Sequence, residues 1–219
     1  MLSQTNPAVP EAVELLGDFH PLMAQLGSME GLVTLSAVSR SLRLRQVDSV
    51  KTLQLFLEAY QTHILIPFEL PAIQRAFLHA TRYEPRELIA YDQQIATEPL
   101  WRELASASRR VGQSHLKRLR PLRDVRLVQR YLRAVEEGRA HGWHTLVFGI
   151  TLSIYSLPVR QGLLCYERQV LRGFMRSAAP RLRLSDNDCE VMLSDLCADA
   201  VWHLELAIEE TEGPGLRFR

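Results

Sequence analysis

The spacing of apolar and polar positions changes character between His141 and Leu182. Thr145 to Leu157 is an almost continuous apolar run. It falls short of the roughly 20 residues that span a bilayer, so it belongs in the middle of a folded core. Its β-branched residues suit a buried strand as well as a buried helix, and the run itself does not separate the two. The residues that follow do. Pro158 fits the start of a helix, and after it Val159, Leu163, Tyr166, Val170 and Phe174 recur at steps of three and four along one face. The pattern predicts a helical hairpin with one arm fully buried and the other half buried.

Elsewhere the same period recurs. Val50, Leu53, Leu57, Tyr60 and Ile64 mark a stripe on a helix that Asp48 can cap and that should stop before Pro67. Prolines open the next three predicted helices, Pro71 to Thr81, Pro85 to Ala96 and Pro99 to about Leu119, because the first helical turn tolerates a missing amide. A very basic helix should follow Pro121 and end at Glu137 before Gly138. Ser185 or Asp186 should cap the last helical stretch, reaching Ile208. Upstream, a short helix at Glu11 to Leu16, a turn from Gly17 to Pro21 and a helix from Met29 capped by Ser28 complete the series. No pair of alternating runs flanks an Asn-Gly or Asp-Gly turn. The chain therefore reads as all-α, a single-domain helical bundle of roughly eight to ten helices over residues 11–208. Flexible polar segments, 1–10 and 209–219, flank it.

Composition narrows this without changing it. At 219 residues and 47% hydrophobic, the chain can bury one full core. A net charge of +1 argues against a dedicated nucleic-acid binder. Cys165, Cys189 and Cys197 are odd in number and lack a CxxC spacing, which fits reduced thiols. The first residues do not have signal-peptide form, so the expected compartment is the cytoplasm, and no membrane partner is expected.

Candidate chemistry is sparse. His141 and His144 stand three apart, but two imidazoles are fewer than the three protein ligands of a usual catalytic zinc site, and Gly142 weakens the helix between them. The simpler reading is a loop histidine beside one facing the core. No Gly-x-Ser-x-Gly elbow, P-loop or Gly-x-Gly-x-x-Gly loop is present. The basic series Arg109, Arg110, Lys117, Arg118, Arg120, Arg123, Arg126, Arg130 and Arg133 is the most concentrated feature. If helical, Arg123, Arg126, Arg130 and Arg133 form a ridge suited to phosphates or to an acidic protein, and it can equally be a solvated face.

The order of several short motifs carries more than any one of them. Glu69-Leu-Pro-Ala-Ile73, Asp92, Ala107-Ser-Arg-Arg-Val-Gly112 with Leu116, Gly142-Trp-His-Thr-Leu-Val-Phe-Gly149 and Ser177-Ala-Ala-Pro-Arg-Leu182 together resemble the urease accessory protein UreF family. Gln46-Val-Asp48 is similar to that family's entry into a long helix, and the likeness covers about Leu26 to Glu205. Trp143 and Thr145 depart from the family's histidine and proline, and the segment Pro21 to Val33 is shorter than usual. The resemblance implies an all-helical, cytoplasmic, non-enzymatic maturation factor. Such a factor is a homodimer that engages UreD (also called UreH), apo-urease and the GTPase UreG, and nickel is in transit rather than held as a cofactor. It points to Glu30, Asp92, Ser108, Gly112, His144, Arg181, His203, Arg217 and Phe218 as partner-binding positions, with no catalytic residue and no resident metal.

Two other classes stay open on the sequence. One is a helical enzyme using the inward histidines His144 and His203. The other is an adaptor with changed partners, or one that grips nucleic acid through the arginines of 109–133. Small residues at Ser108 and Gly112, one turn apart, further predict a place where another backbone comes close.

Overall fold

The computed structural model describes Ser39 and residues 44–98, 105–198 and 204–205. The expected helix at Glu11 to Leu16, the Ser28 cap, the Pro99 helix start, and Glu30, His203, Arg217 and Phe218 lie outside the described residues. Among those described, all regular structure is helical: α1 (Val50–Tyr60), a wider π-helical stretch (Gln61–Glu69), α2 (Leu70–Thr81), α3 (Pro85–Ile95), α4 (Ala105–Arg118), α5 (Arg126–Glu136), α6 (His144–Ile154), α7 (Val159–Leu182) and α8 (Asp186–Leu196). Because α1, the π stretch and α2 run on without a break, these make seven rods, slightly fewer than the eight to ten expected. No described helix is long and apolar enough to cross a membrane.

The continuous first rod corrects the expectation that a helix stops before Pro67. Proline in an α-helix lacks an amide and drives its ring into the carbonyl four residues back. Here the turn containing Pro67 is widened, and the Leu70 amide reaches back five residues to the Leu65 carbonyl. Widening moves the obstructing carbonyl aside, so the rod continues.

Two other boundaries differ for local reasons. Ser49, not Asp48, caps α1: its hydroxyl accepts from the Thr52 amide, while the Thr52 hydroxyl donates to Asp48 and accepts from the Ser49 amide. The basic helix begins at Arg126 rather than just after Pro121, because Leu122, Arg123 and Val125 spend their amides on short turns. Arg123 is thus off the helical ridge, which consists of Arg126, Arg130 and Arg133. Ser185 caps α8 in reciprocal bonding with Asp188.

The hairpin forms as expected, although the main partner of α6 is α2 and not α7. Every residue from His144 to Leu152 is buried, whereas α7 buries one side. Two apolar clusters meet along α2 and α6. One joins Leu53, Phe56, Tyr60, Ile73, Phe148, Tyr166 and Phe174. The other joins Ala76, Leu88, Leu116, Tyr131, Trp143, Leu146 and Ile150 on the opposite side. Gly149 makes this possible: a Cβ there would collide with the Ile73 carbonyl oxygen and stand 2.9 Å from Ala76 Cβ. Backbone touches backbone.

Helix ends share a device. Tyr83, Ser156 and Arg183 all have positive φ, at 59°, 54° and 56°. In each case the following amide reaches five residues back: Glu84 to His79, Leu157 to Leu152, and Leu184 to Ala179. Glycine is the usual occupant of that left-handed position.

Candidate functional site

Four buried polar side chains meet where the π stretch, α4, α6 and α7 converge. Glu69 closes the π stretch, Ser108 faces inward from α4, His144 opens α6, and Tyr166 comes from the buried side of α7. Ser108 Oγ lies 2.7 Å from His144 Nδ1, His144 Nε2 lies 2.6 Å from Tyr166 Oη, and that hydroxyl donates to Glu69 Oε2 at 3.2 Å. Tyr60 is a second hydrogen-bonding neighbour of the Glu69 carboxyl.

If the Tyr166 hydroxyl gives its hydrogen to Glu69, its oxygen must accept from His144 Nε2, which leaves Nδ1 to accept from Ser108. The His144 amide, 3.4 Å from Ser108 Oγ, completes the loop. Burial holds the imidazole neutral, with its pKa pulled down to about 4. Burial also pushes the Glu69 carboxyl up to about 7, in spite of the stabilising bonds from Tyr60 and Tyr166. Neither ring nitrogen of His144 is left for a metal, and among the described residues no three His, Cys, Asp or Glu side chains gather around one point. His141 is in the loop, its ring against Trp143 at 5.3 Å, and so shares no helix face with His144.

A second anchor ties the loop before α6. Asp92 on α3 is fully buried and accepts from the Tyr131 hydroxyl at 2.5 Å, the His141 amide at 2.6 Å and the Gly142 amide at 3.0 Å. Its carbonyl accepts from Trp143 Nε1 at 3.0 Å. Burial raises the Asp92 pKa, and those same bonds oppose the rise. The loop thus presents its carbonyls to α4, and Gly112 is where they land. A Cβ at 112 would collide with the Gly142 carbonyl oxygen and lie 2.6 Å from the His144 nitrogen. The close approach predicted for Ser108 and Gly112 is present, between α4 and this loop.

Of the positions singled out from the sequence, Asp92, Ser108, Gly112 and His144 are therefore gathered in the interior, where they bind the chain to itself. Arg181 is exposed at the far end of α7. Sequence reasoning placed Tyr166 only on an apolar stripe and gave Tyr60, Tyr131 and Trp143 no polar role. The available signal was Glu69, a lone carboxylate between Phe68 and Leu70 in an apolar stretch, since a buried carboxyl needs hydroxyl or amide donors nearby.

Chemically, the arrangement is a closed internal relay. Its hydrogen-bonding groups face one another inside the core, and it offers a rigid frame rather than a reaction pocket.

Comparison with known proteins agrees with the motif order. No curated protein matches the chain. A UreF family model matches residues 47–197, more than half of the chain, and spans every element of the relay and of the Asp92 anchor. The match shows that the chain belongs to the UreF family.

Proposed function

We propose that this protein is a urease maturation scaffold that bridges UreD-bound apo-urease and the GTPase UreG while nickel is inserted. The observation that carries the reading is membership of a urease accessory family over residues 47–197. The interior supports it: the buried polar groups at the centre are engaged with each other, so the molecule has surfaces to offer rather than an open reaction centre. On this reading the chain has no turnover of its own, works in the cytoplasm as a homodimer, and passes nickel on without holding it.

Partner contacts fall to Arg181 on the exposed end of α7 and to Glu30, His203, Arg217 and Phe218. Asp92, Ser108, Gly112 and His144 act behind them by fixing the helices that carry the surface. Phe218 is the one aromatic side chain of the tail 209–219, flanked by Arg217 and Arg219. A pocket on UreD that took the Phe218 ring would supply apolar burial at the contact.

Co-expression with UreD and UreG, followed by sizing chromatography and a urease activation assay, tests the reading. One co-eluting assembly and restored urease activity are expected, and removal of residues 209–219 should weaken UreD capture while leaving the melting temperature nearly unchanged. Failure to co-elute with either protein, or a steady hydrolytic rate from the isolated chain after stringent purification, overturns it.

A further inference from the structure

The charge of this chain is distributed unevenly. Between residues 105 and 133, nine cations stand against one carboxylate, Asp124, which gives +8 and leaves −7 for the rest of a chain whose total is +1. All nine cations are exposed. Four of them, Arg109, Arg110, Lys117 and Arg118, line a single groove on the outer side of α4, together with Ser106, Gln113 and Ser114. No carboxylate is among these described lining residues.

This groove is held in place from beneath. Gln113 donates to the His141 carbonyl at 2.9 Å, and the Arg109 guanidinium sits 5.8 Å from the centre of the Trp143 ring and donates to the Ala105 carbonyl. The contacts to His141 and Trp143 end on the loop that Asp92 and Gly112 position. The groove is thus an outward extension of the rigid interior.

We propose that this groove is a docking site for an acidic segment of a partner protein. Three observations choose that occupant. Three of the four cations are arginines, whose planar forks match carboxylates two bonds at a time, and the serines and Gln113 add neutral hydrogen-bonding groups of the kind that complete a carboxylate's shell. The described lining holds no aromatic residue on which a base could stack, and Trp143, beneath Arg109, is buried. The distance from Arg109 to Lys117 is about 12 Å along the helix, which suits two turns of an acidic helix better than the long contact a nucleic-acid strand needs. The inference rests on the scaffold reading in taking the occupant to be a protein.

The isolated full chain tests it by fluorescence anisotropy with a labelled glutamate-rich peptide and, separately, a uridine oligonucleotide of equal charge. Lys117→Gln with Arg118→Gln is compared with Arg86→Gln with Arg176→Gln, which removes the same charge from exposed positions on other helices. The expected result is salt-sensitive peptide binding that weakens about five-fold or more in the groove pair and less than about two-fold in the control pair. Equal losses in both pairs, tighter binding of the oligonucleotide than of the peptide, or no peptide binding by the parent overturns the proposal. So does salt-sensitive dimerisation, seen by light scattering, that the groove pair abolishes, since the occupant is then a second copy. Because UreD and UreG are absent from these measurements, a failure here leaves the co-elution test of the scaffold reading unaffected.

Discussion

Ser108 Oγ stands 2.7 Å from His144 Nδ1 across 36 residues of sequence, and this contact locks the first turn of the buried helix α6 to α4. Both groups are buried, so neither has water as a substitute partner. Truncating one leaves the other unsatisfied, and an unsatisfied buried polar group costs about 1–3 kcal/mol. Ser108→Ala should therefore lose about 1–2 kcal/mol in urea unfolding. His144→Ala, which also strands Tyr166 and leaves a cavity, should lose about 3 kcal/mol or more. Losses below about 0.5 kcal/mol in both variants would show that the relay does not hold the helices together.

Gly112 and Gly138 give expectations of different size for the same substitution. Gly112→Ala puts a methyl into the backbone of the loop at Gly142 and His144, which is itself pinned by Asp92 and has no room to retreat. It should unfold the chain or lower its stability by about 3 kcal/mol or more. Gly138 has a φ of +73° and open space around it, so Gly138→Ala should cost about 1 kcal/mol through backbone strain alone. Thermal melts of the two variants decide this. Equal melting temperatures would mean that the contact at Gly112 is loose.

Glu69 should give the protein a characteristic pH response. Its carboxyl is raised from 4.5 to about 7, so between those values the folded chain holds a proton that the unfolded chain has released. That contribution to stability is complete below about pH 4.5 and disappears as the pH rises through 7. His144 acts in the opposite sense: with its pKa lowered from 6.5 to about 4, folding excludes a proton in that interval and stability rises with pH. The two slopes largely cancel where they overlap. Glu69→Gln removes one of them, so relative to the parent the variant should gain roughly 1 kcal/mol per pH unit between about 4.5 and 7. Urea unfolding of both chains across that range reads the difference. A parent–variant gap independent of pH would place the Glu69 titration elsewhere.

Ser156 and Arg183 occupy left-handed positions that glycine fills without strain. Both are exposed. Ser156→Gly and Arg183→Gly should each raise stability by up to about 1 kcal/mol, or roughly 2–4 °C in melting temperature for a chain of this size. A fall in melting temperature for both would mean that the unfolded-state entropy of glycine outweighs the relief.

Local pattern alone determined much of this protein. The apolar run before Pro158 and the three-and-four spacing after it are sufficient for α6 and α7, because burial of a continuous stretch or of one face follows directly from side-chain polarity. Pro85, Pro158 and Ser185 located three helix starts for reasons confined to a single turn, whereas Pro71 lies inside a continuous rod. The spacing of Ser108 and Gly112 pointed to a close approach, and the order of short motifs pointed to the family.

Tertiary structure decided the rest. Pro67 does not break its helix, since the surrounding core keeps the rod together and a widened turn removes the clash at lower cost than ending the helix. Asp92, Ser108 and His144 became interior anchors because the groups they bind, Tyr131, Gly142, Tyr166 and one another, come from elements 22 to 50 residues away. Residue type gives each of them hydrogen-bonding capacity, and which group uses it depends on distances that the packing of α2, α4, α6 and α7 sets. The same packing turns four cations of α4 outward into one groove, whereas sequence spacing favoured a ridge on the next helix. Periodicity tells which side of a helix is wet, and only the assembled core tells what that side is next to.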